Sequence, residues 1–535
     1  MSKILMSTNI TTSLEPKAYH TETHGRTMNP GGYPQPQTRD ESMMEKWGKK
    51  QQLKRNFGLL SIVALTTTLM ITWEGLVNAF QAGLENGGPA GLIYGFLVTW
   101  VGVFSQAFVM AEMGAMIPLA GGQYNWVAIL APRKYSKFLS YMTGWTTAIA
   151  WQATSCATLY LAATMIQGLL IQNDPSYILQ RWHGTLIGYA ILMFSLFVNT
   201  YLATVLPKIE SIVLILHIFG FFCVLIPLVY FGPHGDTSTV FRQFLNEGAW
   251  PSQGLSFFIG LTTSMIAFVG LDAAAHMAEE IEDAAVVIPK SMIASVAING
   301  VFGFSIIIAV LFCLGDQDAA LNTPTLYPII EIFTSAVQSN AGGSAMMAVL
   351  ILAMIFANVG LLATASRMLW AFAREKGLPG HEYLARVEPR TKLPLWSIGV
   401  TVVINVLLSL IEIPSSVAFN AFLSLAIAGF YSSFLISATV MLFYRVRTPP
   451  SEIPWGPFKM GRAGTPVTVF SIIYSSQGMF FSFWPPNAHV TAESMNWSSV
   501  VFVGIVACSL IFWVLHGRKV YKGPLVEVIV RQRVR

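Results

Sequence analysis

Met70-Ile71-Thr72-Trp73-Glu74-Gly75-Leu76 and Met265-Ile266-Ala267-Phe268-Val269-Gly270-Leu271 share one pattern, Met-Ile-x-aromatic-x-Gly-Leu, in two distant parts of the chain. Each copy lies in an otherwise apolar run. A glycine weakens a helix and leaves room for backbone groups to face a ligand, and a neighbouring aromatic ring can close over it. Half-helix ends at such a point offer free N–H and C=O groups to a carboxylate and an ammonium. Matched interruptions in the two halves of an apolar chain point to an inverted repeat with its binding site between them.

The composition around these stretches fits a membrane protein. Of 535 residues, 54% are hydrophobic and only 11% charged, less than half the ~25% charge of a soluble domain. A soluble enzyme, a disordered scaffold and a nucleic-acid binder are excluded. Twelve uncharged stretches are long enough to cross a bilayer: 56–73, 86–111, 138–173, 182–207, 211–235, 248–271, 291–315, 332–366, 393–411, 413–444, 463–492 and 494–517. The first continues through Leu84, which places Glu74 inside it. A further stretch, 113–132, carries Pro118, Gly121, Gly122, Gln123 and Asn125 and reads as a re-entrant or interfacial turn. The two Met-Ile-x-aromatic-x-Gly-Leu copies, in spans one and six, then enter the membrane from opposite sides.

With both termini in the cytosol, all 32 basic residues except Arg181 and Arg242 fall on the inner side, as insertion favours. The net charge of +5 is thus a topology signal. Residues 1–55 read as a disordered cytosolic tail with no apolar signal core, 56–517 as the twelve-helix domain, and 518–535 as a basic cytosolic tail. The four cysteines, Cys156, Cys223, Cys313 and Cys508, lie within spans, so disulfides are not expected.

Several polar residues inside the spans are candidates for function. Glu74 costs roughly 2.5–3.5 kcal/mol to insert, so it is expected to face a cavity or a partner, where it binds a substrate ammonium or carries a proton. His217, deep in span five, is a second candidate for proton coupling or a bond to a neighbour. Asp272 and His276 share a helix face and form a candidate gate pair. Glu279, Glu280, Glu282 and Asp283 read as a solvated acidic face. Glu112 reads as structural. Trp151, Gln152, Thr154 and Ser155 on span three and Asn358 on span eight are candidate cavity residues or helix–helix contacts. The sequence holds no phosphate-binding loop, no H-E-x-x-H and no Cys/His cluster, so no cofactor or metal is expected, and secondary transport is what remains.

Residues 47–520 resemble the fungal amino acid, GABA and choline permeases of the amino acid-polyamine-organocation superfamily. The landmarks are Thr72-Trp73-Glu74-Gly75, Gly87-Gly88-Pro89-Ala90-Gly91, Ala120-Gly121-Gly122-Gln123-Tyr124, Ala267-Phe268-Val269-Gly270-Leu271-Asp272 through His276 and Glu279, and Ser366-Arg367 to Gly377-Leu378-Pro379. The resemblance implies an all-α, polytopic, five-plus-five inverted repeat (about 56–235 and 248–444) with two extra helices (about 463–517). It implies a multi-pass protein of the plasma membrane, with an internal (vacuolar) membrane as the alternative. The expected activity is symport with a proton, or exchange, of an amino acid or a small GABA-like amine. The expected substrate residues are Thr72, Trp73, Glu74, Gly75, Ala267, Phe268, Val269 and Gly270, with Trp151 and Asn358. The expected coupling and gating residues are Glu74, His217, Asp272 and His276. Many amino acid permeases have small residues where this chain has Trp73-Glu74. A choline carrier, with Trp73 and Phe268 holding a quaternary ammonium by cation–π attraction, is the rival reading. A nutrient receptor that moves nothing is the reading from another class.

Overall fold

The computed structural model describes residues 38–315, 320–413, 418–492 and 494–523. Its regular elements are helical. A short α1 (Arg39–Lys46) precedes a broken pair, α2 (Leu59–Met70) and α3 (Thr72–Glu85), and then come α4 (Gly88–Met116), α5 (Gln123–Leu130), α6 (Arg133–Asn173), α7 (Arg181–Thr200) and α8 (Leu206–Phe231). After α9 (Thr237–Arg242) comes a second broken pair, α10 (Gln253–Ile266) and α11 (Ala273–His276), followed by α12 (Ala284–Phe312), α13 (Pro328–Val337) and α14 (Asn340–Arg374). The last elements are α15 (His381–Leu384), α16 (Leu395–Ile411), α17 (Ala418–Arg447), α18 (Gly464–Phe481) and α19 (Ser498–Phe512).

Among the described residues, nine helices are long and apolar enough to span a membrane, with α2–α3 taken as one run, and α10, α13 and α16 are shorter apolar helices. Each of the twelve stretches predicted from sequence contains a helix. The eighth differs from expectation at its start. Residues 332–337 belong to α13, Gln338 turns the chain with φ 52°, and the Ser339 hydroxyl caps α14 by accepting from Gly342 N–H at 3.2 Å. Stretch 113–132 ends α4, turns at Leu119–Gly122 and forms α5, and all of it but Ile129 and Pro132 is buried.

The core lies where α2, α3, α10 and α11 are wrapped by α4, α6, α8, α12, α14 and α17. The apolar side chains that face outward, such as Phe219 and Ile226 on α8 or Leu407 and Leu410 on α16, form the surface that a bilayer would cover. Inside, several ionic groups are matched. Glu112 of α4 accepts from Met460 N–H at 2.8 Å and pairs with Arg445 of α17. Helix approach also depends on absent side chains. A Cβ on Gly260 of α10 would lie 1.7 Å from the backbone oxygen of Asn86, a contact that only main-chain movement relieves.

The expectation of a disordered tail through residue 55 is corrected. Thr38 and Glu41 form a reciprocal capping box that starts α1, and Met44, Trp47, Leu53 and Phe57 are buried. Residues 38–57 form a strap across one end of the bundle. Residues 1–37 and 524–535 lie outside the described residues.

Gly260→Ala should lower the melting temperature of the detergent-solubilised protein by several degrees, since overpacking of this kind costs about 1–3 kcal/mol. Gly254→Ala, on the same helix with nothing within 4 Å of its added carbon, should leave it unchanged.

Candidate functional site

The first interruption falls at Ile71, whose φ of 41° and ψ of 44° put a β-branched residue in left-handed backbone. That conformation is strained for such a side chain and persists only where the surroundings impose it. Helix α3 restarts at Thr72 with no side-chain cap, and its backbone ladder opens with Gly75 N–H donating to Ile71 C=O at 2.7 Å. The N–H groups of Thr72, Trp73 and Glu74 therefore stand at the positive end of a helix. The second interruption runs over residues 267–272, with Gly270 at φ 92°. A Cβ there would sit 2.6 Å from Leu69 Cδ2. The Thr72 hydroxyl donates to Ala267 C=O at 2.7 Å and ties the two interruptions together.

Beside them lies a chamber of about 80 Å³ bounded by Leu69–Ile71, Gly75, Asn78, Ala267, Val269, Thr154, Thr158, Tyr327 and Phe419. It shares Asn78, Ala79, Ile266, Phe419 and Leu423 with a vestibule of about 400 Å³ that reaches Glu85, Asn86 and Asn496, at the end of the bundle opposite the strap. The Asn78 amide donates to Glu74 C=O at 2.7 Å, and its Oδ1 is buried without a partner.

Of the residues expected to bind substrate, Gly75, Ala267 and Val269 line the chamber. Thr72 is spent on the bond between the interruptions. Trp73 turns away, its ring 6.0 Å from His217 and 5.7 Å from Phe221, and Phe268 packs on Phe96 at 5.3 Å. Neither ring borders the chamber, so the expected cation–π pair is not assembled there. Gly270 packs against Leu69 and Trp151. Trp151 lies 5.7 Å from His276 and 5.2 Å from Phe430, Gln152 bonds Thr401 at 3.3 Å, and only Thr154 of that group reaches the chamber. Asn358 is buried on α14, outside the lining, with its Nδ2 unpartnered.

Glu74 and His217 come together. His217 Nδ1 is 2.7 Å from Glu74 Oε1, and both side chains are at most 1% exposed. The far atoms, Glu74 Oε2 and His217 Nε2, are buried without partners. Glu74 thus points to α8 and not into the chamber, which corrects its expected place beside a substrate ammonium. Asp272 and His276 also pair, at 3.1 Å, and Gln123 Nε2 donates to the same carboxylate oxygen at 2.5 Å. His276 Nδ1 faces Ala120 C=O at 3.2 Å, so it carries a hydrogen. One further proton then lies between His276 Nε2 and Asp272, leaving the two either both charged or both neutral. The Ala120-Gly121-Gly122-Gln123 landmark has its explanation here: Gly122, at φ 52°, lets the loop pass close beside the His276 ring, where an added Cβ would lie 3.1 Å from Cε1.

The strap closes the end beyond this pair. Glu279 and Glu280 are buried, not solvated as expected, because Arg374 reaches Glu279 at 2.5 Å and Arg367 reaches Glu280 at 2.8 Å. Asn56 and Phe57 N–H both donate to Glu280 C=O at 2.9 Å, and Gln51 donates to Glu279 C=O at 2.7 Å. Asp40 accepts from Asp283 N–H at 2.8 Å and Ala284 N–H at 3.0 Å, and so caps α12. Lys49 pairs with Glu375. Burial and the Arg374 guanidinium push the Lys49 ammonium down to about 7, against the pull of Glu279.

Sequence reasoning did not single out Asn78 or Tyr327. Asn78 is three residues beyond Gly75 and therefore on its helix face, a spacing the sequence did offer. Tyr327 enters from a connecting segment and left no signal.

Interrupted helices that hold a chamber between them, sealed at one end and open at the other, define a membrane carrier. Residues 57–508 match the amino acid permease family model, and the chain belongs to that family. It is 32% identical to a putative amino acid/polyamine transporter of Macrophomina phaseolina, over 82% of this chain and 97% of that one. It is 33% identical to a choline transporter of Saccharomyces cerevisiae, over 87% and 82%. It is 25% identical to amino-acid permease 2 of Neurospora crassa, over 91% and 89%.

Asp40→Ala should release the α12 cap, worth about 1 kcal/mol, and raise amide hydrogen exchange several-fold across residues 39–57 and 283–286. Exchange in α4 should not change.

Proposed function

We propose that this protein imports a small zwitterionic amino compound in symport with a proton. The observation that carries the proposal is the juxtaposition on α3: Gly75 and Asn78 line the chamber, next to the helix's uncapped N-terminus, while Glu74, in the same helical turn, pairs with His217 on the other side. A substrate carboxylate fits the N–H groups of Thr72 to Glu74. Its ammonium fits Asn78 Oδ1 and the carbonyls at the end of α10. Because the Glu74–His217 pair is buried, taking up one more proton changes its net charge in a medium that does not screen it, and the cost of that change depends on any movement of α3 against α8.

The basic residues put the strap end in the cytosol, so the vestibule faces outward and the strap, with the Glu279, Glu280 and Asp272–His276 contacts, is the inner gate. Substrate enters from outside, proton and substrate settle on opposite sides of α3, and inward release requires the strap and its ion pairs to part. The two broken pairs, α2–α3 and α10–α11, take equivalent places in an inverted repeat, and the plasma membrane is the proposed residence.

Choline is the second reading. It is favoured by two aromatic walls of the chamber, Tyr327 and Phe419, and by the absence of a carboxylate side chain among its lining residues. A quaternary ammonium would be held there by ring faces, with the helix N-terminus left unused.

Uptake of labelled GABA, alanine and choline into proteoliposomes tests both readings. An inward proton gradient should raise wild-type uptake of the true substrate several-fold, and Glu74→Gln should lose that response. Excess unlabelled GABA or alanine should compete. If choline alone competes, the carboxylate-binding role of α3 is wrong; gradient-independent uptake in the wild type would sink proton symport.

A further inference from the structure

Seven residues before His217, on the same face of α8, lies a carboxyl group that the sequence reading left in a loop. Glu210 is 2% exposed. Its one described hydrogen-bond contact is between Oε2 and the Thr68 hydroxyl, at 3.2 Å, and Oε1 lies 3.4 Å from where a Cβ on Gly360 of α14 would stand. The Thr68 hydroxyl has a single hydrogen and a nearer acceptor, Ala64 C=O at 2.9 Å. When that hydrogen goes to Ala64, the contact with Glu210 exists only if the acid itself carries a proton and donates it.

Among the described residues, no cation is placed to neutralise an ionised Glu210. Helix α2 has no ionisable residue between Leu59 and Met70. Arg367 and Arg374 of α14 are engaged by Glu280 and Glu279. The only ionisable residue of α12 is Lys290, which is exposed, and that of α13 is Glu331. On α8 itself Lys208 is exposed and His217 is paired with Glu74. A buried carboxyl so surrounded is held as the neutral acid.

A surface cleft between the start of α2 (Gly58–Ser61) and the start of α8 (Pro207, Lys208, Ser211, Ile212) opens at the strap end, one turn or less from Glu210 along the chain. Two carboxyl sites therefore face the two halves of one broken helix: Glu74 belongs to α3, and Glu210 touches α2.

We propose that Glu210 is a second proton-carrying site, placed between the Glu74–His217 pair and the cytosolic cleft. The inference rests on the proton-symport reading above. The two sites are about 10 Å apart along α8, too far for a direct hop, so the proton passes through water admitted when α2 moves away from α8. The Glu74–His217 pair gives up one proton, and Glu210, having released its own to the cleft, accepts it.

The test uses the purified full-length protein in proteoliposomes, driven by a mixture of GABA, alanine and choline, with a trapped pH dye reading proton entry and labelled compounds reading uptake and equilibrium exchange. Glu210→Gln, shaped like the protonated acid, should keep exchange within about threefold of wild type and lose tenfold or more of gradient-driven accumulation and proton entry. Glu210→Asp should restore both in part. Infrared difference spectra, which need no substrate, should show a protonated carboxyl band at neutral pH in the wild type that is missing in Glu210→Gln. Wild-type proton entry in Glu210→Gln, or an unchanged carboxyl band, overturns the role of Glu210 while leaving symport intact. A wild type that exchanges substrate but admits no proton overturns the symport reading, and this inference with it.

Discussion

The hydrogen bond from the Thr72 hydroxyl to Ala267 C=O is the contact on which the rest of the site depends. A bilayer supplies no water to an unfinished helix, so an interrupted span persists only where protein satisfies the freed backbone. Here each interruption serves the other. Thr72 satisfies one carbonyl exposed by the end of α10, Gly270 leaves room for Leu69, and the enforced contact holds Ile71 in backbone that its branched side chain disfavours. Closing the breaks with their own partners in this way leaves the first amides of α3 without a side-chain cap and the Asn78 oxygen without a partner, and Asn78 and Gly75 line the chamber.

The same economy governs charge. Glu112 with Arg445, Glu279 with Arg374, Glu280 with Arg367 and Glu74 with His217 each join helices distant in sequence, and breaking such a pair costs about 3–5 kcal/mol because the survivor stays buried. Most of these pairs gather at the strap end, where they hold that end of the bundle shut. Charges that only fastened the bundle would be replaceable by apolar packing at little loss. Their concentration at one end, together with Asp40 capping α12 from the strap, fits a closure that must open and reform as a unit.

Much of this was legible in the sequence, and what was hidden has a physical pattern. Uncharged length located a helix in every predicted span, because lipid imposes that length directly. The repeated Met-Ile-x-aromatic-x-Gly-Leu located both interruptions, because glycine is where a helix yields. The break itself fell one residue earlier than Thr72, at Ile71, since no local rule places a β-branched residue in left-handed backbone; only the contact across to Ala267 does. The pairing of Glu74 with His217 was hidden for the same reason: each residue was conspicuous, but their meeting is a property of α3 packed on α8. The strap was misread because its polar composition resembles a tail, and its burial comes from four residues, Met44, Trp47, Leu53 and Phe57, too sparsely spaced to register as a pattern. Glu210 was passed over because it follows Lys208, which marks the end of a loop; the helix in fact begins at Leu206 and turns that carboxyl inward.

In the proposed symport, coupling between substrate and proton follows from the fact that α3 has two sides. Gly75 and Asn78 turn toward the chamber, Glu74 meets α8, and Ile71 divides the helix from α2. A ligand that draws the amides toward the chamber changes the distance from Glu74 to His217, and adding a proton to that pair changes how firmly α3 is held to α8. Two ligands that bias one rigid element must influence each other's binding by equal free energies, whichever arrives first. A separation of the proton site from the substrate site by the width of one helix is therefore an advantage: it keeps the proton out of direct contact with the substrate ammonium, where like charges would repel, and still lets each sense the other through the position of a single turn.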